Sequence, residues 1–228
     1  MTGDPRRPLS PAGVSPGTRT IVFLGDSVTD CGRRAEHAPL GAGYVSIVAE
    51  RMSRGGAAPR IVNAGVNGNR VRDLPPRLSE DVLSHRPDVV SIDIGVNDTW
   101  RRFDRDDETP SELFEAGYRE VLDALGAAGL RSGSIVFVEP FLLPVREDQV
   151  VWRADLEPKI EVVRKLARES GGVLVPADTV MRAAAAAGAD GGAALAPDGV
   201  HPSPAGHEII AGAWLDATQA LRTPSAAR

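Results

Sequence analysis

A three-layer α/β/α sandwich around a five-stranded parallel sheet is the fold this sequence predicts, and three observations predict it. Five short runs rich in β-branched residues alternate with stretches of helical spacing along the chain. In the first run, Ile21 to Leu24 are consecutive apolar residues closed by Gly25-Asp26-Ser27, the pattern of a strand buried on both faces. No internal repeat and no linker divides the 228 residues, a length suited to one α/β core. The expected organisation is a disordered leader over residues 1–18, one domain over 19–222 and a short tail over 223–228.

Taken in order, the first strand is Thr20 to Leu24. A polar, Gly-containing stretch follows it to Gly43. Tyr44 to Met52 then has helical spacing, with Val45, Val48 and Met52 on one side, and Gly55-Gly56 is a stop signal. Arg60 to Gly65 reads as the second strand, leading into the loop Val66-Asn67-Gly68-Asn69. Leu74 to Leu83 suggests a helix, with Pro75 and Pro76 tolerated near its start. Asp88 to Ile94 is the third strand, ending at Gly95-Val96-Asn97-Asp98. Ser111 is a candidate cap for a helix running to about Ala128.

Ser134 to Val138 is the fourth strand. Pro158 to Glu169 reads as a helix with Pro158 in its first turn. Val173 to Val175 is the fifth strand. An alanine-rich helix starts near Thr179, before a Gly/Ala loop over 188–197. Ser203 is a candidate N-cap for the last helix, with Pro204 at its first position and Ile209, Ile210, Ala213, Trp214, Ala217 and Leu221 at helical spacing.

Composition sets outer limits. The formal charge of −5 argues against binding nucleic acid by phosphate neutralisation. No apolar run is long enough for a membrane span. The Pro-, Gly- and Arg-rich first 18 residues contain no apolar core of a secretory signal. The expectation is a cytoplasmic enzyme without nucleic-acid or membrane partners. The single cysteine, Cys31, excludes an intrachain disulfide and a Cys-cluster metal site. It is expected to be a buried small residue, with a reactive role as the lesser alternative. No cofactor or metal is expected.

Several loops after predicted strands carry polar groups to one edge of the sheet, where open α/β sheets place their ligands. The first brings Ser27. The second brings Gly68, whose backbone N–H can approach a ligand closely. The third brings Asn97, an uncharged amide donor. Before the last helix, Asp198-Gly199-Val200-His201 places a carboxylate three residues ahead of an imidazole, close enough to fold back onto Nδ1. Acyl transfer by serine needs these parts: a base for the hydroxyl proton, a carboxylate that fixes the base's tautomer, and donors for the oxyanion.

Four stretches in this order resemble the four blocks of the SGNH hydrolases, the GDSL-type esterases. They are Gly25-Asp26-Ser27, Asn63-Ala64-Gly65-Val66-Asn67-Gly68-Asn69, Gly95-Val96-Asn97-Asp98 and Asp198-Gly199-Val200-His201-Pro202. The resemblance covers roughly residues 20 to 220. It implies the flavodoxin-like SGNH fold, Ser27 as nucleophile, His201 as base and Asp198 as its partner. It implies the Ser27 N–H, the Gly68 N–H and the Asn97 side chain as oxyanion donors. One departure is Val28 where leucine is usual, at a packing position. Val71-Arg72-Asp73-Leu74, Asn97-Asp98-Thr99-Trp100-Arg101, Pro140-Phe141 and the Gly25–Arg33 segment are further similar to bacterial acetylxylan and other carbohydrate acetylesterases. This implies hydrolysis of acetyl esters on a sugar through an acyl-serine intermediate, and a possible homo-oligomer. A thioesterase or lysophospholipase, and a biosynthetic acyltransferase, are the rivals within the superfamily. A non-catalytic sugar-binding module is the rival outside it, and the complete nucleophile–base set argues against that.

Other polar residues have plainer readings. Asp26 is expected to brace the turn at Ser27, with contact to substrate as the alternative. His207 is read as a solvated or partly buried helix residue, and His37 and His85 as surface residues. Gly65 is expected to serve the turn out of the second strand, with a place in the oxyanion hole as the lesser alternative. Asp104, Asp106, Asp107 and Glu108, interleaved with Arg101, Arg102 and Arg105, read as a solvated loop rather than a metal site. Trp100 and Trp152 are either flat walls for a sugar or packing residues. Trp214, on the apolar stripe of the last helix, is core.

Overall fold

The computed structural model describes residues 18–54, 58–188 and 191–222. Five parallel strands, β1 (Thr20–Gly25), β2 (Arg60–Gly65), β3 (Val89–Asp93), β4 (Ile135–Val138) and β5 (Val173–Val175), lie in the order β2-β1-β3-β4-β5. Gly25 pairs in register with Gly65 on one side and Asp93 on the other. The chain leaves β1 in one direction to form β2 and in the other to form the rest. The β1/β3 junction is therefore the topological switch point, where sheets of this order hold their ligands.

Alternation along the strands supplies both faces of the sheet. From β1, Val22 and Leu24 join one core and Ile21 and Phe23 the other. The first core is completed by α3 (Leu78–Asp81), α5 (Ser111–Ala127) and α6 (Asp148–Ser170), through Leu78, Phe114, Tyr118, Val163 and Leu166. The second is completed by α2 (Tyr44–Ser53), α7 (Ala177–Ala187) and α9 (Pro204–Ala217), through Tyr44, Val48, Met181, Ile210 and Trp214. Trp214 is core as expected, and its indole N–H donates to Ser91 Oγ of β3 at 3.0 Å. The remaining helices are short or belong to the site: α1 (Ser27–Asp30), α4 (Val96–Arg105), α8 (Gly191–Leu195) and α10 (Gln219–Arg222). No helix among the described residues is long and apolar enough to cross a membrane.

Several boundaries differ from the sequence reading. The expected helix over 74–83 is broken into 3₁₀ turns at Pro75–Arg77 and Leu83–His85 around the short α3. Adjacent prolines remove two backbone donors there, and Arg86 closes the segment in the left-handed region at φ 50°. α6 starts at Asp148, so Pro158 lies inside it rather than in its first turn. The buried stripe Trp152, Leu156, Ile160, Val163 carries the helix through the proline. Ser111 is the first residue of α5 and Pro110 its cap, with no side-chain capping bond. The Gly/Ala loop contains α8. Ser203 caps α9 as expected, its Oγ accepting the Gly206 N–H at 3.3 Å. The expected leader (but for Thr18), the tail and the Gly55-Gly56 stop lie outside the described residues.

Candidate active site

Ser27 opens α1 immediately beyond β1. Asp26 caps that single turn, its Oδ1 accepting the Val28 N–H at 3.0 Å. Gly25 has no room for a side chain, since a Cβ would stand 2.6 Å from the Asp93 carbonyl oxygen. Gly65 is equally confined, against the Asp30 backbone. The carboxyl ends of β1, β2 and β3 are thus packed backbone to backbone, and Ser27 is carried on a rigid edge.

The loop before α9 delivers Asp198 and His201 together. Asp198 Oδ1 accepts the N–H groups of Val200 and His201 at 2.9 and 2.7 Å, a local turn of the kind aspartate favours. Its Oδ2 is left for His201 Nδ1, at 2.6 Å. The carboxylate assigns the proton to Nδ1, so the lone pair of Nε2 faces Ser27 Oγ, 3.0 Å away. Burial pushes the Asp198 carboxyl up, but hydrogen bonds from the His201 ring and from two backbone N–H groups outweigh it and hold the acid below its ordinary value. The structure therefore brings Ser27, His201 and Asp198 into one hydrogen-bonded chain.

Gly68 lies in the loop after β2, and Asn97 in the first turn of α4 after β3. Gly68 has φ 79°, a conformation that favours glycine, with open space where a Cβ would be. Asn97 is buried; its Nδ2 donates to the Asn69 carbonyl at 3.1 Å, tying α4 to the Gly68 loop. Arg101 Nη2 approaches Asn97 Oδ1 at 3.4 Å, which orients the amide nitrogen away from the guanidinium.

Below the edge, Asp26 and Asp93 form a pair of buried carboxyls. Burial pushes Asp26 up to about 6, against the opposing pull of the Val28 N–H, His201 and Asn97. Burial and the neighbouring Asp26 push Asp93 well above the carboxylate range. Asp26 is a bracing group and does not line the cavity at Ser27.

His207, expected to be solvated or partly buried, is almost fully enclosed. It is buried behind Cys31, its Nδ1 accepting the Tyr44 N–H at 3.1 Å and its Nε2 lying 3.5 Å from Cys31 Sγ. Burial, helped by His201, pushes its pKa down to about 4. Cys31 is half-buried rather than buried, and burial pushes its thiol up, opposite to what a reactive thiolate needs. His85 is half-buried beside Arg60, and His37 is exposed.

Trp100 stands half-buried with its ring centroid 6.0 Å from that of His201. Trp152 is 6 % exposed and packs between Trp100 and Phe103, in a cluster with Val96, Leu156 and Val200. Of the two, Trp152 is a packing residue, and Trp100 stands beside the ring of the base. The acidic stretch is ion-paired, Asp107 to Arg70 and Arg72, Asp104 to Arg101 and Glu108 to Arg102. Among the described residues no group of three or more His, Cys, Asp or Glu is placed to hold a metal ion.

A cavity of about 360 Å³ opens at Ser27, lined by Asp30, Cys31, Arg34, Asn67, His201 and His207 among others. Its lining residues are mostly polar or small, the surface they turn to it is largely apolar, and it abuts the nucleophile directly. Arg101, on Asn97, and Gln149, whose Nε2 donates to the Asp198 carbonyl at 2.6 Å, touch site residues from outside the four motif blocks. No sequence pattern distinguishes Gln149, because its partner is 49 positions away.

Comparison with known proteins follows the same lines. A family model for the GDSL-like lipase/acylhydrolase family matches residues 23–209. An acetylxylan esterase from Geobacillus stearothermophilus is 36% identical over 208 residues, covering 86% of this chain and 91% of its own length. A crystal structure of that organism's acetylxylan esterase superposes with a TM-score of 0.79 at 33% identity, covering 91% of this chain and 97% of that one. A Parabacteroides merdae protein assigned as a GDSL-like lipase gives a TM-score of 0.81 at 32% identity, covering 88% and 95%. Structures of the Geobacillus esterase include catalytic variants with a serine, an aspartate or a histidine replaced by alanine. In that protein the aspartate and histidine are three positions apart, as Asp198 and His201 are.

Proposed function

The chain belongs to the GDSL-like lipase/acylhydrolase family, whose acetylxylan esterase members it resembles along most of its length, and from that premise we propose that it removes acetyl groups from a carbohydrate by way of an acetyl-Ser27 intermediate. The observation that carries the mechanism is the chain Ser27 Oγ, His201 Nε2, His201 Nδ1, Asp198 Oδ2, closed at 3.0 and 2.6 Å. Ser27 Oγ attacks the ester carbonyl as its proton passes to His201 Nε2. Asp198 stabilises the imidazolium. The oxyanion is received by the N–H groups of Ser27 and Gly68 and by Asn97 Nδ2. His201 then gives the proton to the departing alcohol, leaving acetyl-Ser27. A water molecule, deprotonated by His201, releases acetate and restores the hydroxyl.

The small acyl group is supported by the cavity at Ser27. Asp30, Arg34 and Asn67 line it, polar side chains beside the nucleophile. In a fitting groove each buried methylene contributes about 0.8 kcal/mol, so a lipid enzyme gains rate as the acyl chain lengthens. The sugar is supported by Trp100 beside His201 and by the esterase relatives.

The test is acetate release across acetylated xylo-oligosaccharides and other acetylated sugars, with a p-nitrophenyl ester series beside it. The expected result is release from an acetylated saccharide and kcat/KM that is highest at acetyl, lower at butyryl and negligible at octanoyl. A rate that rises through octanoyl contradicts the carbohydrate reading and favours a thioesterase or lysophospholipase.

A further inference from the structure

We propose that Gln149 is a positioning residue for the reaction, holding the Asp198 carboxylate on His201 from behind. The inference rests on the reading of Asp198 and His201 as the base and its partner. Gln149 lies in the first turn of α6, far in sequence from either, and is fully buried. Its Oε1 accepts two backbone N–H groups, from Val145 at 2.9 Å and Arg146 at 3.3 Å. Those two donors fix which end of the amide is oxygen. The NH₂ end must then face the Asp198 carbonyl, and it does, at 2.6 Å.

The contact belongs to a larger latch. The Leu143 N–H donates to the Gly199 carbonyl at 2.9 Å. Gly199 has φ 86°, and a Cβ on it would stand 2.7 Å from both Gln149 Oε1 and the Leu143 carbonyl oxygen. The peptide between Asp198 and Gly199 is therefore gripped on its outer side by segment 143–149. On its inner side the same residue spends Oδ1 on two backbone N–H groups and Oδ2 on His201 Nδ1. Rotation of the peptide at 198 would carry the carboxylate off the imidazole. Among the described residues, Gln149 supplies the hydrogen bond to that carbonyl, so the backbone that aims the carboxylate is set by α6. Displacement of a reacting group by about 1 Å is worth up to about 10²-fold in rate.

A plain structural plug would satisfy the same hydrogen bonds, and the two roles give different measurements. Gln149→Met keeps the volume and removes the bonds. The expected result with p-nitrophenyl acetate is a kcat lower by about 10- to 100-fold with KM changed less than about threefold. The downfield proton resonance of the His201 Nδ1–H should move upfield, and the acid limb of kcat/KM should shift to lower pH as the carboxylate loosens. In an Asp198→Asn background the same substitution should cost less than about threefold more, because its route of action is already cut. Where Gln149→Met does not fold, Gln149→Glu keeps the acceptor end and alters the donor end, and is read by the same measurements above pH 7. Lower thermal stability with unchanged kcat, an unmoved resonance and an unmoved acid limb would assign Gln149 to structure alone and overturn the proposal. Fully multiplicative losses in the double variant would overturn it too. Should Asp198→Asn alone leave kcat nearly unchanged, the underlying reading of the dyad fails first, whatever Gln149 does.

Discussion

Acidification should unfold this protein partly through His207, and the size of the effect can be worked from its surroundings. The side chain is 5 % exposed, and its Nδ1 accepts the N–H of Tyr44, the first residue of α2. A protonated Nδ1 would set one donor against another in a dry site. Burial accordingly pushes the pKa down to about 4 from an ordinary value of 6.5. Between those values the unfolded chain binds the proton and the folded chain does not. Stability from this group is therefore complete above about pH 6.5 and falls as the pH drops towards 4. At 1.36 kcal/mol per pH unit, wild type should lose about 2–3 kcal/mol between pH 7.5 and 4.5 on this account. His207→Asn places an amide oxygen near the Nδ1 position and cannot be protonated there. Urea unfolding followed by tryptophan fluorescence at both pH values checks the difference, since titration of the other groups is common to the two proteins. Equal loss of stability in wild type and His207→Asn would rule out His207 as its source.

Asn97→Ala should lower kcat by about 10²–10³ with a smaller change in KM, because an oxyanion donor acts on charge that develops in the transition state; a change confined to KM would make Asn97 a ground-state contact. Asp26→Asn should stabilise the fold by about 1–3 kcal/mol at pH 8, since the buried carboxylate there is ionised at a cost that an amide avoids. The gain should shrink as the pH falls from about 6 towards the ordinary value of 3.8, and thermal melts at pH 8 and pH 4.5 would show it. Lower stability at both pH values would mean that the Val28 cap needs the charge.

The site was legible in sequence where chemistry sits on local pattern. The apolar run of Ile21 to Leu24 stops at Gly25-Asp26-Ser27 because β1 ends against two other backbones there. Asp198 and His201 were legible as a pair because a three-residue turn is enough to close their hydrogen bond. What failed was decided by tertiary context. Pro158 carries the sequence signature of a helix start, yet the buried stripe from Trp152 to Val163 is strong enough to run a helix through it. Trp152 accordingly falls on the packed helix α6, ahead of the helix start that the sequence predicts. His207 had no local sign of burial; the walls around it come from Tyr44, Gly43 and Cys31, more than 160 positions away. Gln149 is the clearest case, a polar helix residue whose meaning depends wholly on a loop near the other end of the chain.

Every proposed step follows from attack by Ser27 Oγ, and a fluorophosphonate probe reports on that nucleophile. Labelled protein, digested and sequenced by mass spectrometry, should carry one phosphonyl adduct, on Ser27. Ser27→Ala should take up none while keeping its thermal stability, and should hydrolyse p-nitrophenyl acetate at background rate. An adduct on another residue, or near wild-type turnover by Ser27→Ala, would contradict the account at its foundation.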